Sequence, residues 1–188
     1  MGQQPTDDDP GWPSVAQVLR ALTPGYLQIG SRKGDQLIAL RSIFVSFSVT
    51  LVAFAVVLQL IGNRGPNHVL PWLWLLAVAA GLSITAIAVL TKPLDCSSEA
   101  KLAVAYRNRF FLTIASCESV ALFGFVFAFI GAPTWIYDLG AAFALSRFWT
   151  VDPPTPRRLQ QHQAALATSG CELSLVGALR RTIPPSPR

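Results

Sequence analysis

Three long apolar runs dominate the sequence, at residues 42–61, 69–90 and 110–130. Each holds about 20 residues, the number that a helix needs to cross a hydrocarbon core of about 30 Å. Charged residues make up only 13% of the chain and the mean hydropathy is +0.44, whereas soluble domains carry about 25% charged residues. The runs therefore predict an all-α integral membrane protein rather than a soluble domain.

A fourth apolar stretch at residues 135–151 is shorter and contains Asp138 and Arg147. Its length of about 17 residues is near the minimum for a membrane-spanning helix. We expect it to complete a bundle of about four transmembrane helices over residues 36–151.

Basic residues mark one side of this bundle. Of the 15 lysine and arginine residues, all but Arg64 lie before the first run, in the loop 91–109, or after position 146. Such residues are enriched in cytoplasmic flanks. We predict four spans in the inner (plasma) membrane, with both termini in the cytoplasm, and we assign the net charge of +5 to orientation and not to nucleic-acid binding. The excess of arginine over lysine favours a bacterial source.

Both terminal segments are predicted to carry short amphipathic helices. In the N-terminal segment, residues 1–35, a helix over 13–22 has one apolar face, which either lies on the membrane surface or packs against the protein's own cytoplasmic side. In the C-terminal tail, residues 152–188, two short helices are expected on either side of Gly170.

The three cysteines predict neither a disulfide framework nor a zinc site, because their number is odd and no CxxC spacing is present. We expect Cys96 and Cys171 to be free cytoplasmic thiols and Cys117 to lie in the third span. The sequence contains no Walker loop, GxSxG or HExxH motif, and the two histidines, His68 and His162, are expected on opposite sides of the membrane. No metal site, cofactor or enzymatic activity is predicted.

Glu118 is the strongest candidate for a functional side chain. It lies eight residues after Phe110, or roughly 12 Å along the third span at about 1.5 Å per residue. A charged group at that depth needs a partner or a function. Three readings stay open: an ion pair with Arg147, proton or ion binding, or a contact with another subunit.

Asp138 is a secondary candidate near the predicted outer end of the fourth span. We expect it to be solvated at the headgroup level or to stabilise the start of the helix that follows Pro133. A role at an external ion entrance is the alternative.

Small residues follow one another at spacings of four and three along the third span, and they allow close backbone approach. We expect them to pack within this bundle, with contact to a homo-oligomer or another membrane protein as the alternative. They are Cys117, Ala121, Gly124, Ala128 and Gly131.

Residues 117–130 place small and apolar residues after Glu118, and the basic residues Arg107 and Arg109 come before it. This segment resembles the carboxylate-bearing helix of the rotor c subunits of rotary ATP synthases. The resemblance implies that Glu118 is an ion-binding carboxylate. The chain differs from that family by lacking the Arg-Gln-Pro-like loop signature and by having extra spans and long terminal segments.

The sequence thus favours a non-enzymatic membrane protein, either a structural or accessory subunit of a membrane complex or a proton- or ion-coupled transport component that uses Glu118. Its expected partners are the lipid bilayer and another membrane protein or copy.

Overall fold

The computed structural model describes Trp12, Ser14 and residues 36–61, 69–90, 93–151 and 153–180. Within these ranges every regular element is a helix, which confirms the predicted all-α class. The helices are α1 (Gln36–Ile61), α2 (Leu70–Leu90), α3 (Glu99–Phe129), α4 (Trp135–Val151), α5 (Pro156–Thr168) and α6 (Leu175–Arg180). The amphipathic helix predicted over residues 13–22 lies outside the described residues.

Three helices, α1, α2 and α3, are long and apolar enough to cross a membrane. They cover nearly all of the three long apolar runs, so the prediction that these runs form helices of membrane-spanning length and composition is confirmed. Helix α4 has 17 residues, which is near the lower limit for a span. The fourth span therefore remains a prediction.

Helix α3 begins at Glu99, well before its apolar run at residues 110–130. Ser98 caps this helix: its carbonyl oxygen accepts from the backbone N–H of Leu102 at 2.9 Å, and its hydroxyl oxygen accepts from that of Lys101 at 3.3 Å. A serine at this position satisfies N–H groups that have no partner within the helix.

The chain reverses between α3 and α4 within five residues. Gly131 adopts a φ of 112°, a value that glycine reaches without steric cost. The backbone N–H of Ala132 then donates to the carbonyl oxygen of Phe127 at 2.8 Å. This turn lets α4 begin at Trp135, where the sequence predicts it.

The described residues divide into two compact units. The bundle unit contains the described residues of 47–92 and 109–153, and the disulfide unit contains Trp12, Ser14 and residues 36–46, 93–108 and 154–180. Helices α1 and α3 contribute residues to both units. This grouping differs from the three consecutive segments predicted from the sequence, because the chain segment before α3 and the tail share one unit.

In the bundle unit, two glycines bring α3 and α4 into backbone contact. A Cβ atom on Gly124 would lie 3.0 Å from the Cα of Tyr137, and one on Gly140 would lie 2.9 Å from the carbonyl oxygen of Val120. Close approach through small residues is a common way for helices to associate in lipid. A cluster of Leu76, Val120, Ala132 and Ile136 forms an apolar core in the same unit.

In the disulfide unit, α5 and α6 form a hairpin closed by one side chain. Gln163 donates from Nε2 to the carbonyl oxygen of Leu173 at 3.0 Å and accepts at Oε1 from the backbone N–H of Leu175 at 2.7 Å. Gly170, with a φ of 83°, lies in the turn after α5. The tail thus has one short helix on either side of this glycine, and the amphipathic character predicted for them stays a prediction.

Cys96 and Cys171 form a disulfide, and their Cα atoms are 5.9 Å apart. The prediction that both are free thiols is therefore wrong for this structure, in which the pair is oxidised. An odd number of cysteines excludes complete pairing but not a single bond, and the unpaired cysteine is Cys117, which is buried. The two bonded residues are 75 positions apart, so only the folded-back tail brings them together.

Candidate intramembrane polar site

Glu118 lies on α3 in the bundle unit, and its side chain is partly buried. It is flanked on the helix by Cys117, which is fully buried, and by the partly buried Ser119. The helix is apolar on either side of this short polar segment. The carboxylate is thus held inside a segment that is long and apolar enough to cross the bilayer, where a charge is costly.

Arg147 lies on α4, and the register of α3 against α4 sets its level. The close approaches at the two glycines place position 137 beside 124 and position 140 beside 120–121. Extended along the antiparallel pair, this register places position 147 level with about positions 113–114. Arg147 is therefore about one helical turn, or about 6 Å, from the level of Glu118.

The predicted ion pair between Glu118 and Arg147 is not made through the Nε atom of the arginine. That atom is buried and has no hydrogen-bond partner in the part of the chain that the structure describes. A contact between the outer guanidinium nitrogens of Arg147 and the Glu118 carboxyl group would have to span the axial distance of about one helical turn between them. The pair remains a prediction.

Nearby hydroxyl groups make bonds to backbone and not to the carboxylate. Ser119 donates to the carbonyl oxygen of Ser116 at 2.8 Å, and Ser83 of α2 donates to the same oxygen. The Thr113 hydroxyl is buried and has no hydrogen-bond partner among the described residues. The Ser119 hydroxyl is therefore used by the helix that carries it.

Cys117 joins the polar groups of three helices. Its thiol lies close to the Ser83 hydroxyl of α2 and within electrostatic range of Arg147 of α4. Thr113 precedes it by four residues and so lies on the same face of α3. From its sequence position Cys117 is expected only to pack between helices, and Ser83 is not expected at the site because a hydroxyl in an apolar run has no distinctive pattern.

Asp138 accepts a hydrogen bond at Oδ2 from Nε2 of Gln59 on α1, at 2.9 Å. It also lies in the first turn of α4, where a negative charge interacts favourably with the helix dipole. Gln59 was not predicted as a site residue. Its signal was present, since it is a long polar side chain near the end of an otherwise apolar span.

The small-residue stripe of α3 is largely buried. Cys117, Ala121, Gly124 and Ala128 are almost completely inaccessible, whereas Gly131 belongs to the turn after the helix and is partly exposed. Backbone of α4 covers the stripe at Gly124. A second set of small residues, on α2, is exposed, and Gly81 in that set has open space beside it.

Comparisons with family models, curated proteins and solved structures gave no match to this chain. The search of the described residues for three or more metal-ligating side chains in one place also found none. Two features of the bundle unit bear on function: a partly buried carboxyl group in a helix long and apolar enough to cross a membrane, and an open small-residue face on α2.

Proposed function

We propose that the chain is a four-span plasma-membrane protein that acts as a structural or accessory subunit of a membrane complex. The three long apolar helices support the membrane location, and α4 is the fourth span in this proposal. The distribution of lysine and arginine supports a cytoplasmic position for both termini.

The open small-residue face of α2 carries this proposal. Ala77, Gly81 and Thr85 follow at four-residue spacing and are all exposed. A Cβ atom at Gly81 would meet nothing within 4 Å in the described part of the chain, and the Thr85 hydroxyl is satisfied by the Gly81 carbonyl oxygen at 2.9 Å. A face of this kind suits close approach by a helix of another subunit, as α4 approaches the equivalent stripe of α3.

Purification from native membranes in mild detergent tests the proposal. We expect a second membrane protein to co-purify with the wild-type chain and to be lost in the Gly81→Leu variant. Val78→Leu adds bulk at a neighbouring exposed position of α2 and should retain the partner. A wild-type particle that is strictly monomeric and carries no other protein would contradict the accessory role.

A proton- or ion-coupled transport component is the second candidate. The position of Glu118 favours it. Glu118 is about one helical turn from the level of Arg147, and the Ser119 hydroxyl donates to a backbone carbonyl oxygen and not to the Glu118 carboxyl group. A carboxylate that is not neutralised by a fixed partner can exchange a proton inside the membrane. The resemblance to rotary ATP synthase c subunits implies the same role for Glu118.

Ion flux into proteoliposomes separates the two candidates, with wild type compared with Glu118→Gln. Loss of flux with unchanged thermal stability supports proton binding, because glutamine resembles the neutral acid. If an ion pair with Arg147 is the true role, Glu118→Gln should lower stability in detergent and Arg147→Gln should restore part of it. The loss should be smaller than the ~2.5–3.5 kcal/mol of a charge at a helix centre, since Arg147 lies near the end of α4.

Labelling of introduced cysteines from outside the cell tests the topology, in a chain whose own cysteines are replaced by serine. A cysteine at position 66 should react, and cysteines at positions 5 and 165 should not. Labelling at position 165 would show an odd number of spans or an inverted orientation.

A further inference from the structure

The Cys96–Cys171 disulfide joins two parts of the disulfide unit that are distant in sequence. Cys96 lies between α2 and α3, and Cys171 lies directly after α5, where its backbone N–H donates to the carbonyl oxygen of Leu166 at 3.0 Å. The bond therefore fastens the end of α5 to the segment that leads into α3. Cys96 is partly exposed, whereas Cys171 is 7% exposed.

Whether this disulfide is permanent or reversible depends on the redox state of the compartment in which it lies. The proposed topology places residues 91–109 and the tail in the cytoplasm, where thiols are kept reduced and the disulfides that do form are mostly transient or redox-sensing. A permanent structural bond would instead require an oxidising compartment. The basic residues that flank both cysteines, Arg107 and Arg109 on one side and Arg157 and Arg158 on the other, favour the cytoplasmic placement.

We propose that Cys96 and Cys171 are a redox-modification site, a dithiol–disulfide pair that exchanges with the low-molecular-weight thiols and disulfides of the cytoplasm and thereby fastens or releases the α5–α6 hairpin. This inference rests on the cytoplasmic orientation given under the proposed function. It does not depend on whether Glu118 binds protons or whether α2 binds a partner.

Oxidation proceeds by two thiol–disulfide exchanges. The Cys96 thiolate attacks a small-molecule disulfide, forms a mixed disulfide and releases one small thiolate. The Cys171 thiolate then attacks the Cys96 sulfur and displaces the second small thiolate. The protein loses two electrons and two protons, and the small disulfide gains them to become two thiols; reduction is the reverse.

The position of Cys96 suits the attacking role. It lies two residues before Ser98, the N-cap of the 31-residue helix α3, and a helix N-terminus stabilises a nearby thiolate. Asp95 opposes this effect: hydrogen bonds from the backbone N–H and the side chain of Ser97 lower the pKa of that carboxyl group and keep it negative. Asp95→Asn should therefore speed the first exchange.

The α5–α6 hairpin does not depend on the bond for its own structure. Gln163 closes it, and Ser174 caps α6 by accepting from the backbone N–H of Gly177 at 3.1 Å. Two other contacts attach the hairpin within the unit: the Tyr106 and His162 rings, whose centroids are 5.9 Å apart, and the bond from Arg41 Nε to the Pro154 carbonyl oxygen at 2.8 Å. Reduction should free the Cys171 end of the hairpin and leave the Pro154 end attached.

Thiol counting in cells tests the proposal. Cells that express the full chain are quenched with acid, and the denatured protein is modified with polyethylene-glycol maleimide, which shifts its mobility once per free thiol. We expect all three cysteines to be modified during normal growth, only Cys117 after brief treatment with diamide, and all three again after recovery. Cys117→Ser should give two modified thiols during growth and none after diamide. Cys171→Ser should give two during growth and lose only one after diamide, because a mixed disulfide on Cys96 then has no second thiol to resolve it.

Two outcomes overturn the proposal. Three free thiols after diamide would mean that the bond does not form, and one free thiol in every condition would mean that the bond is permanent. If the bond is permanent, the labelling of a cysteine introduced at position 165 identifies the cause. Labelling from outside the cell would mean that the proposed topology is wrong as well. No labelling would mean that only the redox proposal is wrong.

Trypsin cleavage after Arg180, at the end of α6 beyond Cys171, tests the release of the hairpin in inside-out vesicles. The reduced protein should be cut about tenfold faster than the oxidised protein, because cleavage follows local opening. The matched control is Cys171→Ser, whose cleavage rate should not change with the redox state. Equal rates for oxidised and reduced wild type would refute release of the hairpin.

Discussion

Each of the two units is stabilised internally by a different kind of contact. In the bundle unit, α3 and α4 meet where side chains are missing, so that the backbone of one helix touches the backbone of the other at Gly124 and Gly140. In the disulfide unit, the segments are joined by individual directional links: a covalent bond, a bridging glutamine and a buried arginine that donates to a carbonyl oxygen.

This difference follows from the surroundings that the sequence implies for each unit. In a bilayer, moving apolar surface from lipid into a helix contact yields no hydrophobic free energy, so helices associate through close packing. The short helices of the disulfide unit are marginally stable alone in water. They depend on tertiary contacts, which include buried leucines such as Leu159 and Leu175 as well as bonds between specific atoms. The bundle unit should therefore be most sensitive to added volume, and the disulfide unit to the loss of polar partners.

The largest expected effect comes from a single methyl group in the bundle unit. Gly140→Ala places a Cβ atom 2.9 Å from the Val120 carbonyl oxygen and 3.2 Å from the Cα of Ala121, and neither backbone atom can move without shifting a helix. We expect a loss of about 2–3 kcal/mol in the free energy of unfolding, measured by thermal or denaturant unfolding in detergent.

The same substitution at Gly81 is the matched control. A Cβ atom there has open space among the described residues, so Gly81→Ala should leave stability unchanged or raise it slightly, because alanine favours the helix. Gly124→Ala, with its nearest contact at 3.0 Å, should fall between the two. Equal effects at positions 81 and 140 would show that close approach does not hold α3 and α4 together.

The next largest effect is expected in the disulfide unit, at Gln163. Gln163→Ala removes both hydrogen bonds that close the α5–α6 hairpin. A hydrogen bond contributes about 1 kcal/mol, so the loss should be about 1–2 kcal/mol. Hydrogen exchange at the amide of Leu175 should accelerate accordingly. Gln160→Ala changes an exposed residue on the same helix and should leave that exchange rate unchanged.

Much of the bundle unit was predictable, because its determinants are local in sequence. The limits of α4 were predicted to the residue, since Pro133 precedes it and the Pro153–Pro154 pair follows it. The apolar run at residues 42–61 begins six residues after the start of α1 at Gln36, because the first turns of this helix are less apolar than the rest. Hydropathy identifies the part of a helix that lies in lipid, and a helix can continue beyond that part.

The contacts between distant residues were not predictable in the same way. Cys96 and Cys171 carry no signal of their pairing in a single sequence, because the bond depends on how a tail of two short helices folds back. The level of Arg147 depends on the register of α3 against α4, which is set by contacts at Gly124 and Gly140. The sequence identifies these glycines as packing residues, but it does not specify which residue each one touches.

A smaller effect is expected when the bundle unit loses a polar link. The Tyr137 hydroxyl donates to the Leu51 carbonyl oxygen at 2.7 Å and joins α4 to α1. Hydrogen bonds between helices in membranes contribute about 0.6 kcal/mol on average, so Tyr137→Phe should lower stability by about that amount in detergent. Ser146→Ala removes an exposed bond within α4 and serves as the control. A loss for Tyr137→Phe larger than that for Gln163→Ala would contradict the contrast between the units.

The smallest effect is expected at the pair of Gln59 and Asp138. Their bond of 2.9 Å is exposed, and water can replace either partner. Asp138→Asn keeps an acceptor oxygen but removes the charge in the first turn of α4, which contributes about 0.3–1 kcal/mol at most. The free energy of unfolding of the variant should therefore differ from that of wild type by no more than about 0.5 kcal/mol, in the lower part of that range.

A double-mutant cycle with Gln59→Leu and Asp138→Asn measures the hydrogen bond separately from the charge effect on the helix. The coupling energy is the part of the stability change that is not the sum of the two single variants. We expect a coupling energy below about 0.5 kcal/mol, as for other exposed polar pairs. A coupling energy above about 1 kcal/mol would mean that the pair is shielded from water. It would then belong with the directional links of the disulfide unit, and the bundle unit would depend on a polar contact as well as on close packing.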